Sequence, residues 1–299
     1  MPRFGAHMSV AGGLDQALFR GNSIGCDTIQ LFLRSPTRWE AAPIEPEDVL
    51  AFQAARRATD ITPIVAHGSY LINLASAKKA LWRRSLSTLI DDLGRCQRLG
   101  LDAYVLHPGA HTGSGEEAGL LRVTEAIRRA LQAFDGDVQL LLENTAGQGT
   151  SLGYRLEHLG KIIEGAGWPE RLGICIDTAH AVAAGYTLAG AEAYASFWET
   201  VDRLVGIERV GCLHLNDSLG DQGSRVDRHA HIGEGHVGVD GFRRLVNDPA
   251  LQKVPMILET PKGEDMLEDI RNLALLRSLC DQGEEPHLQG AKRREGIRE

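Results

Sequence analysis

The stretch DRHAHIGEGH, residues 227–236, holds three histidines, two carboxylates and an arginine. Side chains of the same kinds recur at the ends of short apolar runs. His67 closes TPIVAH, His107 follows YVL, Glu143 follows LLL, and Asp177 follows ICI with His180 three residues on. His214 lies in CLHLND and Glu259 follows MIL. Imidazole together with carboxylate is the ligand set of zinc and related divalent metals. A single histidine at a strand end is most often a hydrogen-bonded structural residue, and a single Glu there often marks the solvent boundary. The set as a whole resists that reading, because buried like charges such as Glu143, Asp177 and Glu259 repel one another unless cations neutralise them. With the 227–236 loop included there are more donors than one metal needs. Within that loop Asp227, His229 and His231 alternate, so in an extended segment all three face one side and Arg228 faces away; spacing alone does not choose among them.

Such donors need strands to aim them. Apolar runs recur at 3–8, 28–33, 62–67, 103–108, 138–144, 173–178, 211–217 and 254–260. Most are continuous rather than alternating, as expected of parallel strands covered on both faces. Between them lie segments of helical period. Leu120, Val123, Ile127, Leu131 and Phe134 form one stripe. Trp82, Leu86, Leu89, Leu93 and Cys96 form another, with Gly100 placed to end it. Eight strand–helix units predict a single (β/α)8 TIM barrel over residues 1–280, whose strand C-termini open onto one face where active sites lie. An open doubly wound sheet is disfavoured because no G-x-G-x-x-G follows the first strand. The last helix is expected within 264–280, and the polar segment 281–299 reads as a disordered tail.

The 299 residues are 43% hydrophobic and 24% charged, the composition of a globular chain with a substantial core. No apolar run approaches the roughly 20 residues of a membrane helix, and the N-terminus lacks a secretory pattern. The five cysteines are scattered, without a C-x-x-C pair. Cys175 and Cys212 lie in apolar runs and read as buried hydrophobes, so a reduced, cytoplasmic setting is expected. The net charge of −8 by itself argues against a nucleic-acid partner. Bound metal cations would change that balance locally.

The segments HGSYLINLAS, LHPGAH, ENTAGQG, CIDTAHAVAAGY, HLNDS, GSRVDRHAHIGEG and ILET resemble, in order, the signatures of endonuclease IV, the zinc-dependent apurinic/apyrimidinic DNA endonucleases. The resemblance runs from GAHMSVAGGL to Glu259. It implies a (β/α)8 barrel carrying three zinc ions, with Mn²⁺ or Fe²⁺ able to replace some of them. In that reading His67 and His107 hold one ion and Glu143 bridges it to a second. Asp177, His214 and Glu259 complete the second site, while His180, Asp227 and His229 bind the third. The motif stops at DRH, which leaves His231 out.

The implied activity is base-excision repair on duplex DNA: hydrolysis 5′ to an abasic site, leaving a 3′-hydroxyl and a 5′-deoxyribose phosphate. Closely spaced metals can lower the pKa of a bridging water, and a further ion can stabilise the leaving oxygen. Glu143 and Glu259 are the candidate catalytic carboxylates. Tyr70 and Leu71 match the family's DNA-wedge position. Relatives carry Arg where Thr37 stands here, so insertion from the RSPTRW loop is lost or moves to Arg38. Arg34, Arg38, Arg225, Arg228 and Lys262 lie in loops from which they could reach phosphates. A monomer, nucleoid-associated through its substrate, is expected. The rival reading is a metal-dependent sugar isomerase or epimerase on a related barrel, which would need one or two metals and no third site.

Overall fold

The computed structural model describes residues 2–281. The expected tail, 281–299, therefore lies outside the described residues apart from Asp281. The chain begins β1 (Arg3–His7), α1 (Leu14–Ser23), β2 (Thr28–Phe32), α2 (Pro46–Thr59), β3 (Ile64–His67) and α3 (Lys79–Leu99). It continues β4 (Ala103–Leu106), α4 (Glu116–Ala133), β5 (Gln139–Glu143), α5 (Leu156–Gly165), β6 (Leu172–Asp177), α6 (Thr178–Ala184) and α7 (Ala191–Leu204). Then come β7 (Val210–His214), the two-residue strands β8 (Asp217–Ser218) and β9 (His229–Ala230), α8 (Gly238–Asn247), β10 (Pro255–Leu258) and α9 (Leu267–Leu279).

Eight of these strands close into one barrel in the order β1-β10-β7-β6-β5-β4-β3-β2, every pair parallel, with Arg3 against Pro255 at the closure. β8 and β9 form a separate antiparallel pair over the rim. The helices end where local chemistry dictates. Gly100 caps α3 at φ 75°, a left-handed conformation that costs glycine little. Pro46 opens α2 behind a reciprocal Glu45–Asp48 capping box. No described helix is long and apolar enough to cross a membrane.

The continuous apolar runs divide by period two into two cores. Ile64, Ala66, Leu140, Leu142, Ile174 and Ile176 face the helices. Val65, Ala103, Val105, Leu141, Cys175, Cys212 and Ile257 fill the barrel itself. This alternation carries the site. His67, His107, Glu143, Asp177, His214 and Glu259 each stand two residues beyond an inward residue: Val65, Val105, Leu141, Cys175, Cys212 and Ile257 respectively. They are the next layer up from the packed interior.

Candidate metal centre

Five imidazoles and four carboxylates meet at the C-terminal mouth of the barrel. Glu143 lies at the centre, fully buried. Its Oε2 is 3.0 Å from His67 Nε2 and 3.1 Å from His107 Nε2, and its Oε1 is 3.1 Å from His180 Nδ1 and 3.2 Å from His214 Nδ1. His214 Nδ1 is also 3.2 Å from Glu259 Oε2. On the far side Asp227 Oδ1 lies 3.2 Å from His180 Nε2 and 3.4 Å from His229 Nε2, with Asp177 Oδ2 3.6 Å from His229 Nε2. Three sets each place their donor atoms within 4.8 Å of one another: His67, His107 and Glu143; Glu143, Asp177, His214 and Glu259; and Asp177, His180 and His229. Asp227 adjoins the last.

Four of the imidazoles are oriented by partners outside the cluster of donor atoms. His67 Nδ1 donates to Gly68 O (2.8 Å), His180 Nδ1 to Asn144 O (2.9 Å) and His229 Nδ1 to Glu259 O (3.1 Å). Carbonyls only accept, so each of these rings is protonated at Nδ1 and keeps Nε2 for the centre. His214 is turned the other way, with Nε2 2.8 Å from Gln30 Oε1. Two asparagines fix Asp177 and Glu259, mostly through their backbones. Asn144 accepts from Asp177 N (2.7 Å) and donates to Asp177 O (3.1 Å). Asn216 donates to Asp177 Oδ2 and accepts from Glu259 N, both at 2.7 Å. Asp177 also caps α6 by accepting from His180 N at 2.8 Å.

The donor set fits divalent cations. Burial opposes ionisation of Glu143, yet His107 and His214 outweigh it and hold the carboxyl well below its usual range. Glu259 is lowered likewise, by His214 and His7 against burial. With no cation present, burial opposes charge on His180 and His214. For His180, Asp177 and Asp227 prevail; for His214, Glu259 and Glu143 do so, and both rings are driven well above their usual range. The carboxylates thus demand positive charge, and metal ions supply it while leaving ring nitrogens free to coordinate. Among the described residues His229 Nε2, buried at the centre, has no hydrogen-bond partner, an orphan that an ion would satisfy.

The 227–236 loop separates by contact. His231 Nδ1 lies 3.2 Å from Asn272 Nδ2, and so ties the loop to α9. His236 pairs with Asp221 (3.1 Å) and Glu234 with Arg271 (3.7 Å), both on the surface. The loop's turn is built around buried Asp217, which accepts from Gly233 N (2.9 Å) and Val237 N (2.7 Å). A Cβ at Gly235 would lie 2.3 Å from Ser218 O, so only glycine fits there.

At the rim Tyr70 is 68% exposed, its ring edge-on to Phe32. Leu71 beside it is half-buried, while Arg38 and Arg228 are exposed. Ser69 Oγ donates to Pro36 O at 2.8 Å and so links the Tyr70 and Arg38 loops. Two expected phosphate-facing cations are engaged elsewhere. Arg34 is buried, donating to Asp92 Oδ1 through Nε (2.8 Å) and Nη2 (2.6 Å), to Asp91 and to Trp39 O. Lys262 is held by Asp269 and His7 O. In both cases a nearby carboxylate offers a stronger partner than solvent. Arg225 stacks over Tyr154 at 4.6 Å.

Sequence reasoning passed over Gln30, His7, Asn144 and Asn216. Gln30 had a signal, a lone amide inside the apolar run TIQLFL. His7 closes its strand as the recognised donors do. Gln30 Nε2 lies 2.5 Å from Glu259 Oε1 and 3.0 Å from His7 Nδ1.

Residues 20–279 match a family described as a xylose isomerase-like TIM barrel. A probable endonuclease 4 of Chloroflexus aurantiacus is 55% identical over 285 residues, which cover 95% of this chain and 100% of the relative. The crystal structure of endonuclease IV from Thermus thermophilus superposes with a TM-score of 0.83 at 40% identity, covering 93% of this chain and 98% of that one. A D-tagatose 3-epimerase-like protein superposes with a TM-score of 0.71 at 18% identity, covering 93% and 96%, a likeness of fold alone.

Proposed function

Because this chain belongs to the endonuclease IV family of DNA-hydrolysing enzymes, we propose that it is a DNA-repair endonuclease cutting the phosphodiester bond 5′ to abasic sites in duplex DNA. The products in this reading are a 3′-hydroxyl and a 5′-deoxyribose phosphate. Three zinc ions are assigned: one to His67, His107 and Glu143, one to Glu143, Asp177, His214 and Glu259, and one to His180, Asp227 and His229. The observation that carries the reading is the convergence of eight of these donors in adjoining sets, with Asp227 beside the set of Asp177, His180 and His229.

Zinc bound there supplies Lewis acidity toward a phosphate and ionises water near neutral pH. The chain's own groups divide the remaining work. Glu143 is fully enclosed and faces four imidazoles, so its role is to hold the sets together. Glu259 keeps 19% of its side chain open to the bowl, and Gln30 steadies its Oε1. That makes Glu259 the carboxylate available to orient the attacking water or accept its proton. Tyr70, with Leu71 behind it, is the candidate to fill the gap beside an extruded sugar, and Arg38 and Arg228 are candidates for the flanking phosphates.

The test is incision of a duplex with one abasic site, with and without chelator, alongside metal analysis. Chelator-sensitive cleavage with near three metals per chain is expected. A fully metallated protein that leaves the duplex intact overturns the reading. The sugar-epimerase alternative has no use for the His180, Asp227 and His229 set. Glu259→Gln that keeps its zinc and full cleavage would remove Glu259 from the catalytic role.

A further inference from the structure

Beneath the carboxylate–imidazole layer the barrel interior holds two thiols among apolar side chains. Cys175 on β6 and Cys212 on β7 are directly paired across the sheet and fully buried. They pack among Val65, Ala103, Val105, Leu141 and Ile257. The proposed hydrolysis uses neither. His214, two residues beyond Cys212, faces the same way along the strand. One ligand atom from each of Cys175, Cys212 and His214 lies within 4.8 Å of the others. Metal–sulfur bonds of about 2.3 Å and metal–nitrogen bonds of about 2.0–2.1 Å allow one ion to reach all three with small side-chain shifts.

We propose that Cys175, Cys212 and His214 form a further, separate metal site, selective for thiophilic cations, whose occupation disarms the hydrolytic centre by drawing His214 away from it. Selectivity follows from the donors, since two sulfurs and an imidazole favour soft ions over oxygen-seeking ones. The charge balances. Each thiol gives its proton to solvent as a sulfur–metal bond forms, and two thiolates neutralise a dication, so no net charge enters the apolar interior. The disarming follows from His214 itself. Its Nδ1 is 3.2 Å from both Glu143 and Glu259, and its Nε2 is 2.8 Å from Gln30. Whichever nitrogen turns to the ion below, a contact above is lost. This consequence rests on the hydrolytic reading of His214; the sulfur site does not.

The experiment titrates Cd²⁺ into full-length, metal-stripped protein and follows the ultraviolet sulfur-to-cadmium charge-transfer band. At saturating Cd²⁺, wild type should show a band whose intensity corresponds to one two-thiolate site per chain. Cys175→Ala and Cys212→Ala should lose it while still binding Cd²⁺ through oxygen and nitrogen. Cys26, Cys96 and Cys280 remain in both variants and report any band not due to the pair. Cadmium bound to wild type without a thiolate band overturns the site, whatever the variants do. For the functional half, Cd²⁺ pre-loading should cut abasic-site incision at least tenfold in wild type, with recovery on adding a dithiol but not excess Zn²⁺. Cys175→Ala should keep its incision under the same load. A saturated band with undiminished incision overturns the disarming. Absence of incision in untreated zinc-loaded wild type instead faults the nuclease reading and leaves the sulfur site to its spectrum.

Discussion

Gln30 and His214, 184 residues apart in sequence, meet at 2.8 Å between Oε1 and Nε2. The bond gives the His214 ring an orientation opposite to that of the other anchored imidazoles and commits Nδ1 to the metal centre. The same amide donates to Glu259 Oε1. Gln30→Met should therefore leave the fold intact and weaken metal retention by roughly tenfold to a hundredfold, the usual loss when a partner behind a ligand is removed. Chelator-competition rates measure this directly. Wild-type rates of zinc loss in the variant would show that the amide only fills space.

Asp227 is the most exposed of the nine donors, with 42% of its side chain accessible, so its replacement spares the core. On the proposed three-zinc reading, Asp227→Asn should lower bound zinc by one per chain and reduce incision by about a hundredfold or more, the scale of losing one charge-stabilising element. Metal analysis and single-turnover cleavage report the two effects separately. Three zinc ions in the variant would exclude Asp227 from the third set.

Tyr70 stands 68% exposed at the rim. Tyr70→Ala should change folding stability by no more than about 0.5 kcal/mol. If the ring stacks in DNA, the variant should lose about 1–3 kcal/mol of binding to an abasic duplex. The loss should appear in KM rather than in metal content. Equal affinity of variant and wild type would assign the ring to loop packing against Phe32.

Arg34, Asp92 and Tyr104 form a buried network in which Tyr104 OH donates to Asp92 Oδ2 at 2.7 Å. Arg34→Met leaves the Asp92 carboxylate buried without its cation, which costs about 3–5 kcal/mol. Denaturant unfolding checks the value, and a cost below about 1 kcal/mol would mean that solvent reaches Asp92. Arg34 also holds Trp39 O. The loop carrying Arg38 should therefore become more accessible to protease in the variant.

His158, away from the metal centre, is lowered below its ordinary 6.5 by burial, with Glu116 opposing. Its Nδ1 accepts from Gly153 N at 3.2 Å, which requires the neutral ring. Below pH 6.5 the unfolded chain takes up a proton that folded His158 resists, so stability falls as pH drops from 6.5 toward the folded value. His158→Asn keeps an acceptor and should flatten the difference in unfolding free energy across that window. Parallel profiles for the two proteins would contradict this origin.

The barrel was legible because continuous apolar runs separated by amphipathic stripes have few other solutions. The donor layer was legible for a related reason. Direction along a strand has period two, so a residue two beyond an inward Val65 or Leu141 must also point inward. Family motifs pointed to Asp227 and His229, which lie 3.4 Å apart beside His180. The positioning residues were harder to see. Asn144 and Asn216 follow strands as many unremarkable polar residues do.

By itself, then, the sequence determined the strands, their facing and the presence of six suitable donors at their ends, because these depend on local periodicity and residue chemistry. Only the tertiary structure decided between residues that local rules treat alike. His229 turns to Asp227 while His231, on the same alternation, turns to Asn272. Arg34 is taken by Asp92 while Arg38 stays exposed. Gln30 becomes the partner of Glu259 across 229 residues of chain. Each outcome rests on which distant group offers the better hydrogen bond or opposite charge once the barrel closes, and that information is held by no single segment.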